Sequence, residues 1–252
     1  MLGKLRYALY GGGRERPIHC RSRAIPGAQQ IDLPEYSERV SATTTGNGKP
    51  VSTRVRLLES ATDLFSRQGF GATGIKAVLA AAEAPYGSLY HFFPGGKQEL
   101  GAAALAYGGE RYRVILASVY PENSDVVQDT ADSFARATEM LEETDFGYAC
   151  PIATIALETA DNDEVMREAA AAAFESWLEL LQERFVGAGM TDGRARDVAI
   201  EVFCLIEGAV LLARTTRSVA PMHTAGKAAT TLVTAALEQS RKSRSAGKKQ
   251  AN

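Results

Sequence analysis

The chain has 252 residues, of which 45% are hydrophobic and 23% are charged, and its formal net charge is −2. This is enough apolar material for a core of one or two domains. The cysteines Cys20, Cys150 and Cys204 are odd in number and far apart, which excludes a disulfide framework and a zinc site. No stretch reaches about 18 apolar residues without a charge, so a transmembrane span is excluded too.

Residues 1–50 are rich in Gly, Pro, Ser, Thr and Arg and show no sustained period. This composition predicts a disordered arm, and its eight Lys and Arg against four Asp and Glu make it basic. The segment lacks the apolar stretch of a signal peptide. An alternative is that the start has been set too early, because the first predicted helix follows Val51 at once and a valine codon can serve as a start.

The first predicted helix begins after residue 51. Ser52 or Thr53 can cap it, and Gly69 ends it at a position where left-handed geometry is cheap for glycine. Its apolar residues recur at the spacing of one helical face and are Val55, Leu58, Ala61 and Phe65. The pattern predicts an amphipathic helix that packs on one side.

Two short helices follow, separated by a tight turn at Glu83-Ala84-Pro85. Thr73 can cap the first of them, and Pro85 stands where the second begins, at a position that needs no N–H. The apolar core is predicted to contain Ile75, Val78, Leu79 and Ala82 of the first short helix and Leu89, Phe92 and Phe93 of the second. The residues of the second helix predicted to face solvent are Pro85, Tyr86, Ser88, Tyr90 and His91. A second helix with a polar outer face is the arrangement of DNA-reading helix-turn-helix units.

The stretch from Gly69 to Leu100, GFGATGIKAVLAAAEAPYGSLYHFFPGGKQEL, resembles the DNA-binding domain of TetR-type transcriptional regulators. The residues that match the family pattern are Gly87, Leu89, Tyr90, Phe93 and Lys97. Farther along, FGYACPIATIALE (residues 146–158) is similar to the ligand-domain motif of the LmrA/YxaF-like branch. Two positions depart from the pattern: Glu83 stands where many members have glycine, and Tyr86 where a basic residue is common.

The resemblance implies an all-α protein of about nine helices. It implies a three-helix helix-turn-helix DNA-binding domain at residues 51–100 and a larger effector-binding and dimerisation domain at residues 101–240. The pattern beyond residue 100 predicts helices over 98–120, 124–143, 151–159, 163–186, 191–219 and 221–240, with a break at Asp145-Phe146-Gly147. Residues 241–252 are basic and low in apolar content, which predicts a disordered tail.

Charge is distributed unevenly along the chain. Residues 51–100 carry five basic against four acidic side chains, whereas residues 101–240 carry 10 against 22, a net charge of −12. We call residues 51–100 the head and residues 101–240 the body. An acidic body behind a neutral-to-basic head would orient the head toward DNA phosphates. The alternative is that the acidic residues simply form solvated helix faces.

The predicted DNA contacts lie on the polar side of the two short helices and just beyond them. They are Thr73, Lys76, Pro85, Tyr86, Gly87, Ser88, Tyr90, His91 and Lys97. We expect Tyr90, His91, Lys97 and the Thr73 hydroxyl to grip phosphates, and Tyr86, Ser88 and the Gly87 backbone to approach base edges.

A lipophilic effector site is predicted from bulky residues of the middle helices. The residues expected to line it are Phe134, Phe146, Cys150, Ile152, Phe174, Trp177 and Phe203. Glu158, Glu175 and Glu207 are possible polar orienters of the ligand. The competing interpretation is that the bulky residues are ordinary core and that the glutamates face solvent.

A dimer interface is predicted from wide apolar stripes on the last two helices. The residues assigned to it are Val198, Val202, Ile206, Ala209, Leu232 and Leu237. A wide stripe serves one buried core face or a core face plus a partner face, and the family resemblance favours the second.

The sequence is therefore interpreted as a cytoplasmic, homodimeric regulator, expected to be a repressor that a small aromatic effector releases from a palindromic operator. No nucleotide-binding loop, nucleophile elbow or His/carboxylate pair supports an enzyme. We expect no cofactor, no metal and no membrane partner. The alternative functions are an all-helical enzyme and an adaptor that does not bind DNA.

Overall fold

The computed structural model describes residues 51–147 and 149–250, the last five of them by backbone alone. Within these residues it has nine helices and no strand, which confirms the all-α prediction. The helices are α1 (Thr53–Gln68), α2 (Ile75–Ala81), α3 (Tyr86–Phe92), α4 (Gly96–Val119), α5 (Val126–Glu143), α6 (Pro151–Thr159), α7 (Glu164–Gly187), α8 (Asp192–Thr216) and α9 (Ala220–Gln250). The predicted arm at residues 1–50 lies outside the described residues.

Helix α1 begins and ends where its local sequence predicts. The Ser52 side chain accepts a hydrogen bond from the Val55 N–H, and Gly69 ends the helix with a φ of 83° while its N–H donates to the Phe65 carbonyl. Leu58 and Phe65 are fully buried. These caps need only neighbouring residues, which is why the sequence locates them correctly.

Helix α2 starts one residue later than predicted, because Gly74 rather than Thr73 occupies its N-cap position. The Thr73 side chain is buried, and its hydroxyl donates backward to the Gly69 carbonyl at 2.7 Å. The prediction that Thr73 caps α2 is therefore wrong. Its hydroxyl fixes the loop between α1 and α2 instead.

The turn from α2 to α3 has a backbone conformation that favours glycine. Glu83 has a φ of 49°, in the left-handed region where a non-glycine residue is strained. Arg56 of α1 donates from Nε to the Ala82 carbonyl at 2.9 Å and ties the turn to the first helix. Pro85 is the N-cap of α3, so the predicted start of this helix is shifted by one residue.

Helix α4 crosses α7 at very short range. An added Cβ at Gly109 would lie 2.7 Å from the Ala173 Cβ, so the two helices approach as closely as their smallest residues allow. At the same crossing the Trp177 indole Nε1 donates to the Gly109 carbonyl at 2.8 Å. Because α4 is continuous through residue 100, the predicted boundary between head and body falls inside one helix.

The apolar core is divided into two clusters. The first joins the head helices α1–α3 to the first half of α4, to α6 and to the N-terminal half of α7. The second joins the C-terminal ends of α4 and α7 to α5, α8 and α9. Tyr120 lies in the second cluster, where burial raises the pKa of its hydroxyl, which contacts Thr130 and Ser133.

Helix α9 is longer than predicted. It continues to Gln250, so the prediction of a disordered tail is wrong for residues 241–250, and residues 251–252 lie outside the described part. Ser240 is buried and donates to the Ala236 carbonyl at 2.8 Å, and the Arg244 guanidinium lies over Gly189. The Arg244 contact is therefore a tertiary contact within a segment whose composition alone indicates disorder. No described helix is long and apolar enough to cross a bilayer.

The α4–α7 crossing generates a prediction about stability. Replacing Gly109 with alanine should lower the free energy of unfolding by about 1–3 kcal/mol, because overpacking forces the helices apart. Gly193→Ala is the matched control: it lies in the first turn of α8, and its added Cβ would meet nothing within 4 Å. The control should be neutral or stabilising by up to about 1 kcal/mol. Urea unfolding of both variants measures this difference, and equal stabilities would contradict the close crossing.

Candidate DNA-binding face and effector site

The outer face of α3 presents two tyrosines to solvent. Tyr86 is 60% exposed and Tyr90 is 48% exposed, and their ring centroids are 6.1 Å apart. Pro85, Gly87 and His91 are exposed beside them, and Ser88 is half-buried. A hydrogen bond to Tyr86 raises the pKa of Tyr90. Tyrosine hydroxyls are protonated at neutral pH and can donate as well as accept. Such a face can read base edges that offer a hydrogen-bond donor or a hydrogen-bond acceptor.

Leu89 and Phe93 are buried behind this face, and Phe92 is partly buried against the same cluster. The division of α3 into an inner apolar side and an outer polar side is therefore as predicted. A seven-residue helix can present a face to DNA only if it is held from behind. The buried Leu89 and Phe93 side chains provide that support.

Lys97 is engaged inside the head. Its Nζ donates to the Gly71 carbonyl at 3.3 Å and lies 4.5 Å from the centre of the Phe70 ring. It therefore braces the loop between α1 and α2 rather than extending freely toward phosphate. The Thr73 hydroxyl is likewise committed to Gly69, so the prediction that it grips phosphate is not supported by its placement.

Most of the other basic side chains of the head also have partners within the protein. Arg54 lies 5.5 Å from the centre of the Phe93 ring, Arg56 donates to backbone carbonyls, and Arg67 pairs with Asp63 at 3.1 Å. Lys76 on α2 is exposed, and no described residue pairs with it. It is the basic side chain of the described head that is freest to meet a phosphate.

Four aromatic rings meet where α4, α7 and α8 converge. The centroid of Trp177 lies 5.6 Å from Tyr112, 5.6 Å from Phe174 and 5.7 Å from Phe203, and Phe174 and Phe203 are 5.5 Å apart. We call these residues the ring cluster. Trp177 is buried, whereas the other three rings are only partly buried, so the cluster reaches the surface of the protomer. Partly exposed aromatic rings around a buried one are a suitable wall for an aromatic ligand.

Cys150 and Ile152 lie at the start of α6, in the same apolar core cluster as these rings. The Cys150 sulfur accepts from the Ala153 N–H at 3.4 Å and so caps the helix. Burial, with the neighbouring Glu207 carboxyl, raises the pKa of the Cys150 thiol well above its ordinary value. Cys150 is therefore a protonated packing residue and not a reactive thiolate.

Phe134 and Phe146 do not join the ring cluster. Phe134 is buried against Gly226 of α9 in the second core cluster. Phe146 packs on that same cluster, where the Arg217 guanidinium lies 5.6 Å from the centre of its ring. The prediction that both residues share one site with Trp177 is wrong, because α5 and the segment after it pack on α8 and α9 away from these rings.

The three glutamates singled out in the sequence have three different environments. Glu175 pairs with Arg196 at 2.7 Å near the surface. Glu207 is mostly buried beside Cys150, and its pKa is raised by that burial. Glu158 accepts the Gly71 N–H at 2.9 Å, in the head. Glu175 and Glu158 are therefore held by partners outside the ring cluster, and Glu207 is the one of the three that remains a candidate polar orienter.

The residues predicted for a dimer interface are largely internal to the protomer. Val198, Val202, Ala209 and Leu237 are buried in the second core cluster, so the prediction that they face a partner is wrong. Ile206 and Leu232 are partly buried against the same cluster. Helical periodicity reveals an apolar face, but the face that it reveals here is the one that packs on the protomer itself.

A different stripe of α8 is exposed, at residues that the predicted interface does not include. Ile200 is 40%, Leu211 59% and Leu212 56% exposed, and Cys204 lies between them on the surface. Positions 200, 204, 208 and 211 follow one another at the spacing of a single helix face, so a separate periodic pattern is present in the sequence. Apolar side chains this exposed are candidates for an interface.

No group of three or more His, Cys, Asp or Glu side chains could hold a metal ion in the part of the chain that the structure describes. The two candidate functional surfaces are the outer face of α3 and the ring cluster, and residues of both pack on the first core cluster.

Comparison with known proteins gives two family matches. Residues 57–104 match the model for "Bacterial regulatory proteins, tetR family", and residues 126–228 match that for "Transcriptional regulator LmrA/YxaF-like, C-terminal domain". An uncharacterized HTH-type transcriptional regulator of Mycobacterium tuberculosis is 35% identical over 174 residues, which cover 67% of this chain and 88% of the relative. The HTH-type transcriptional regulator LmrA of Bacillus subtilis is 30% identical over 176 residues, which cover 67% of this chain and 90% of that relative.

The fold is similar to that of the reduced form of NemR from E. coli, with a TM-score of 0.62 and 24% identity over 70% of this chain and 95% of the other. The two family models cover the head and most of the body, in the order in which the structure has them. The relatives are transcriptional regulators and not enzymes, which confirms the expectation that this protein is not an enzyme. The chain belongs to the TetR family of DNA-binding transcriptional regulators, in its LmrA/YxaF-like branch.

Proposed function

We propose that this protein is a homodimeric, cytoplasmic repressor that an aromatic effector releases from a palindromic operator. The observation that carries this proposal is the position of the ring cluster. Its partly buried rings reach the protomer surface in a body that shares one continuous helix, α4, with the DNA-binding head. A ligand that separates these rings must move side chains of α4 and α7. The α4–α7 crossing is too tight to absorb such a movement without shifting a helix.

DNA recognition rests mainly on the tyrosines of α3. Tyr86 and Tyr90, with the Gly87 backbone and Ser88, approach base edges, while Lys76 and His91 approach phosphates. One such head buries little DNA surface, so two heads on successive half-sites provide the selectivity. The body carries a net charge of −12 over residues 101–240, which disfavours any approach to DNA except by the head.

A head with so few free cations should bind DNA with a modest salt dependence. Lys76→Ala should weaken binding to all sequences and lower the slope of log K against log salt by about 0.9, the contribution of one phosphate contact. Fluorescence anisotropy with a duplex from upstream of the protein's own gene, at several salt concentrations, measures the slope. Lys227→Ala, which removes an exposed lysine of α9, is the control and should leave the slope unchanged. If both variants keep the parental slope, Lys76 does not contact phosphate.

The dimer is proposed to form through the exposed stripe of α8 and the adjoining face of α9. Leu211→Glu places a carboxylate at the centre of this surface, where burial without a partner is costly. The variant should remain folded, because Leu211 is exposed in the protomer, and should sediment as a monomer that no longer binds operator. Val165→Glu, at a 44% exposed position of α7, is the control and should sediment like the parent. A dimeric Leu211→Glu variant would exclude this surface as the interface.

The effector is proposed to bind at the ring cluster. Trp177 is the single tryptophan of the chain, so its fluorescence reports on this cluster alone. A planar aromatic compound that quenches Trp177 should release operator DNA over the same concentration range, because the coupling between two sites is reciprocal. The coupling is expected to change operator affinity by about 5–150-fold.

Phe203→Ala should weaken this response while the free protein keeps its DNA affinity, because the rings that Phe203 contacts, Phe174 and Trp177, belong to the body. Phe146→Ala is the matched control, since Phe146 is also a partly buried phenylalanine but packs on the other core cluster. Paired titrations of fluorescence and of operator release measure both variants. An unaltered response in Phe203→Ala, or quenching that never affects DNA affinity, would show that the rings are ordinary core.

A further inference from the structure

The loop between α1 and α2 is held by a carboxylate from a distant part of the chain. Glu158, in the last turn of α6, accepts the Gly71 N–H through Oε2 at 2.9 Å. Its other oxygen lies where a side chain on Gly69 would begin, 1.8 Å from the position of an added Cβ. Glycine at position 69 therefore makes room for this carboxylate as well as ending α1.

The carbonyl of Gly71 is held by a positive charge. Lys97 of α4 donates to the Gly71 carbonyl at 3.3 Å, so the N–H of Gly71 meets a carboxylate and its carbonyl meets an ammonium group. Hydrogen bonds to charged groups are about twice as strong as those between neutral groups. Gly71 is thus fixed from both sides, by α6 of the body and by the start of α4.

This loop determines where the helix-turn-helix unit begins. Phe70, between Gly69 and Gly71, packs edge-on against Phe65 with ring centroids 5.2 Å apart. Its ring also approaches Gly101. Thr73 at the end of the loop donates to the Gly69 carbonyl, immediately before α2. Helix α2 in turn leads to α3 through a turn of four residues. A shift of Gly71 would therefore be passed to the recognition helix.

We propose that Glu158 is a positioning residue for DNA binding: its bond to Gly71 holds the Gly69–Gly71 loop and so aligns α3 with the major groove. The proposal deepens the proposed function and rests on it. The helix that carries Glu158 is nine residues and about 13 Å long. Its N-cap, Cys150, lies in the same apolar core cluster as the ring cluster. The helix therefore runs from the cluster that includes the proposed effector site to the bond with Gly71 of the head.

The first test is hydrogen exchange of the free full-length protein. Glu158→Ala should lose protection at the Gly71 amide, whereas Glu158→Gln should keep it because the amide oxygen still accepts the bond. Glu179→Ala, which removes an exposed glutamate of α7, is the matched control and should exchange like the parent. Urea unfolding of the same proteins shows whether Glu158→Ala changes the fold as a whole. Unchanged exchange at Gly71 in a folded Glu158→Ala protein overturns the proposal.

The second test is affinity for a duplex from upstream of the protein's own gene. Glu158→Ala should raise the Kd at least about fivefold, the lower end of typical coupling between sites, while Glu158→Gln stays within about twofold to threefold of the parent. If Glu158→Ala lost affinity only through a general loss of stability, the glutamine side chain of Glu158→Gln would not be expected to restore the affinity. If Gly71 loses its protection but the Kd of Glu158→Ala equals that of the parent, the bond does not position α3 and the proposal is wrong. If the parent itself binds no DNA, the proposed function fails, and the exchange measurement still decides whether Glu158 holds the loop.

Discussion

The crossing of α4 and α7 at Gly109 and Ala173 is the contact on which the rest of the structure depends. Helix α4 carries the DNA-binding head at its N-terminal end, and α7 carries Trp177 and Phe174. The Trp177 indole donates to the Gly109 carbonyl at the crossing itself, so the orientation of the ring cluster is tied to the position of α4. Two helices with a gap between them could slide independently, but these two cannot, because there is no free volume between their backbones.

The head uses its charged residues mainly for its own construction. Arg54, Arg56 and Lys97 contact rings or backbone carbonyls of the head, and Glu158 enters it from the body. These contacts order loops that would otherwise have few partners, since α2 and α3 have only seven residues each. The exposed outer face of α3 is therefore formed mainly by the Tyr86 and Tyr90 side chains rather than by free positive charge.

The division of the core into two clusters separates two tasks. The first cluster connects the head to the ring cluster, so changes among the rings have a packed path to the DNA-binding face. The second cluster holds α5, α8 and α9 together and leaves the stripe at Ile200, Leu211 and Leu212 exposed. In the proposed dimer, a partner surface built on the second cluster could remain fixed while the first cluster adjusts.

Local chemistry made much of the fold predictable from the sequence alone. Ser52 and Gly69 bound α1, and the predicted α6 matches the observed Pro151–Thr159, because caps and prolines act on their immediate neighbours. Apolar periodicity also identified Leu89 and Phe93 as the inner side of α3. The family motifs located the DNA-binding head and the ligand domain, since these motifs are short and continuous in the chain.

Tertiary structure alone decided which neighbour each face meets. Val202 and Ala209 lie on a face that periodicity marks as apolar, yet only the packing of α8 on the second core cluster shows that this face is internal. Phe134 and Trp177 are equally bulky in the sequence, and they separate because α5 and α7 contribute to different clusters at those positions. Glu158 and Gly71 are 87 residues apart, and a hydrogen bond between such distant positions has no signature in local sequence, because it exists only once α6 has packed against α1.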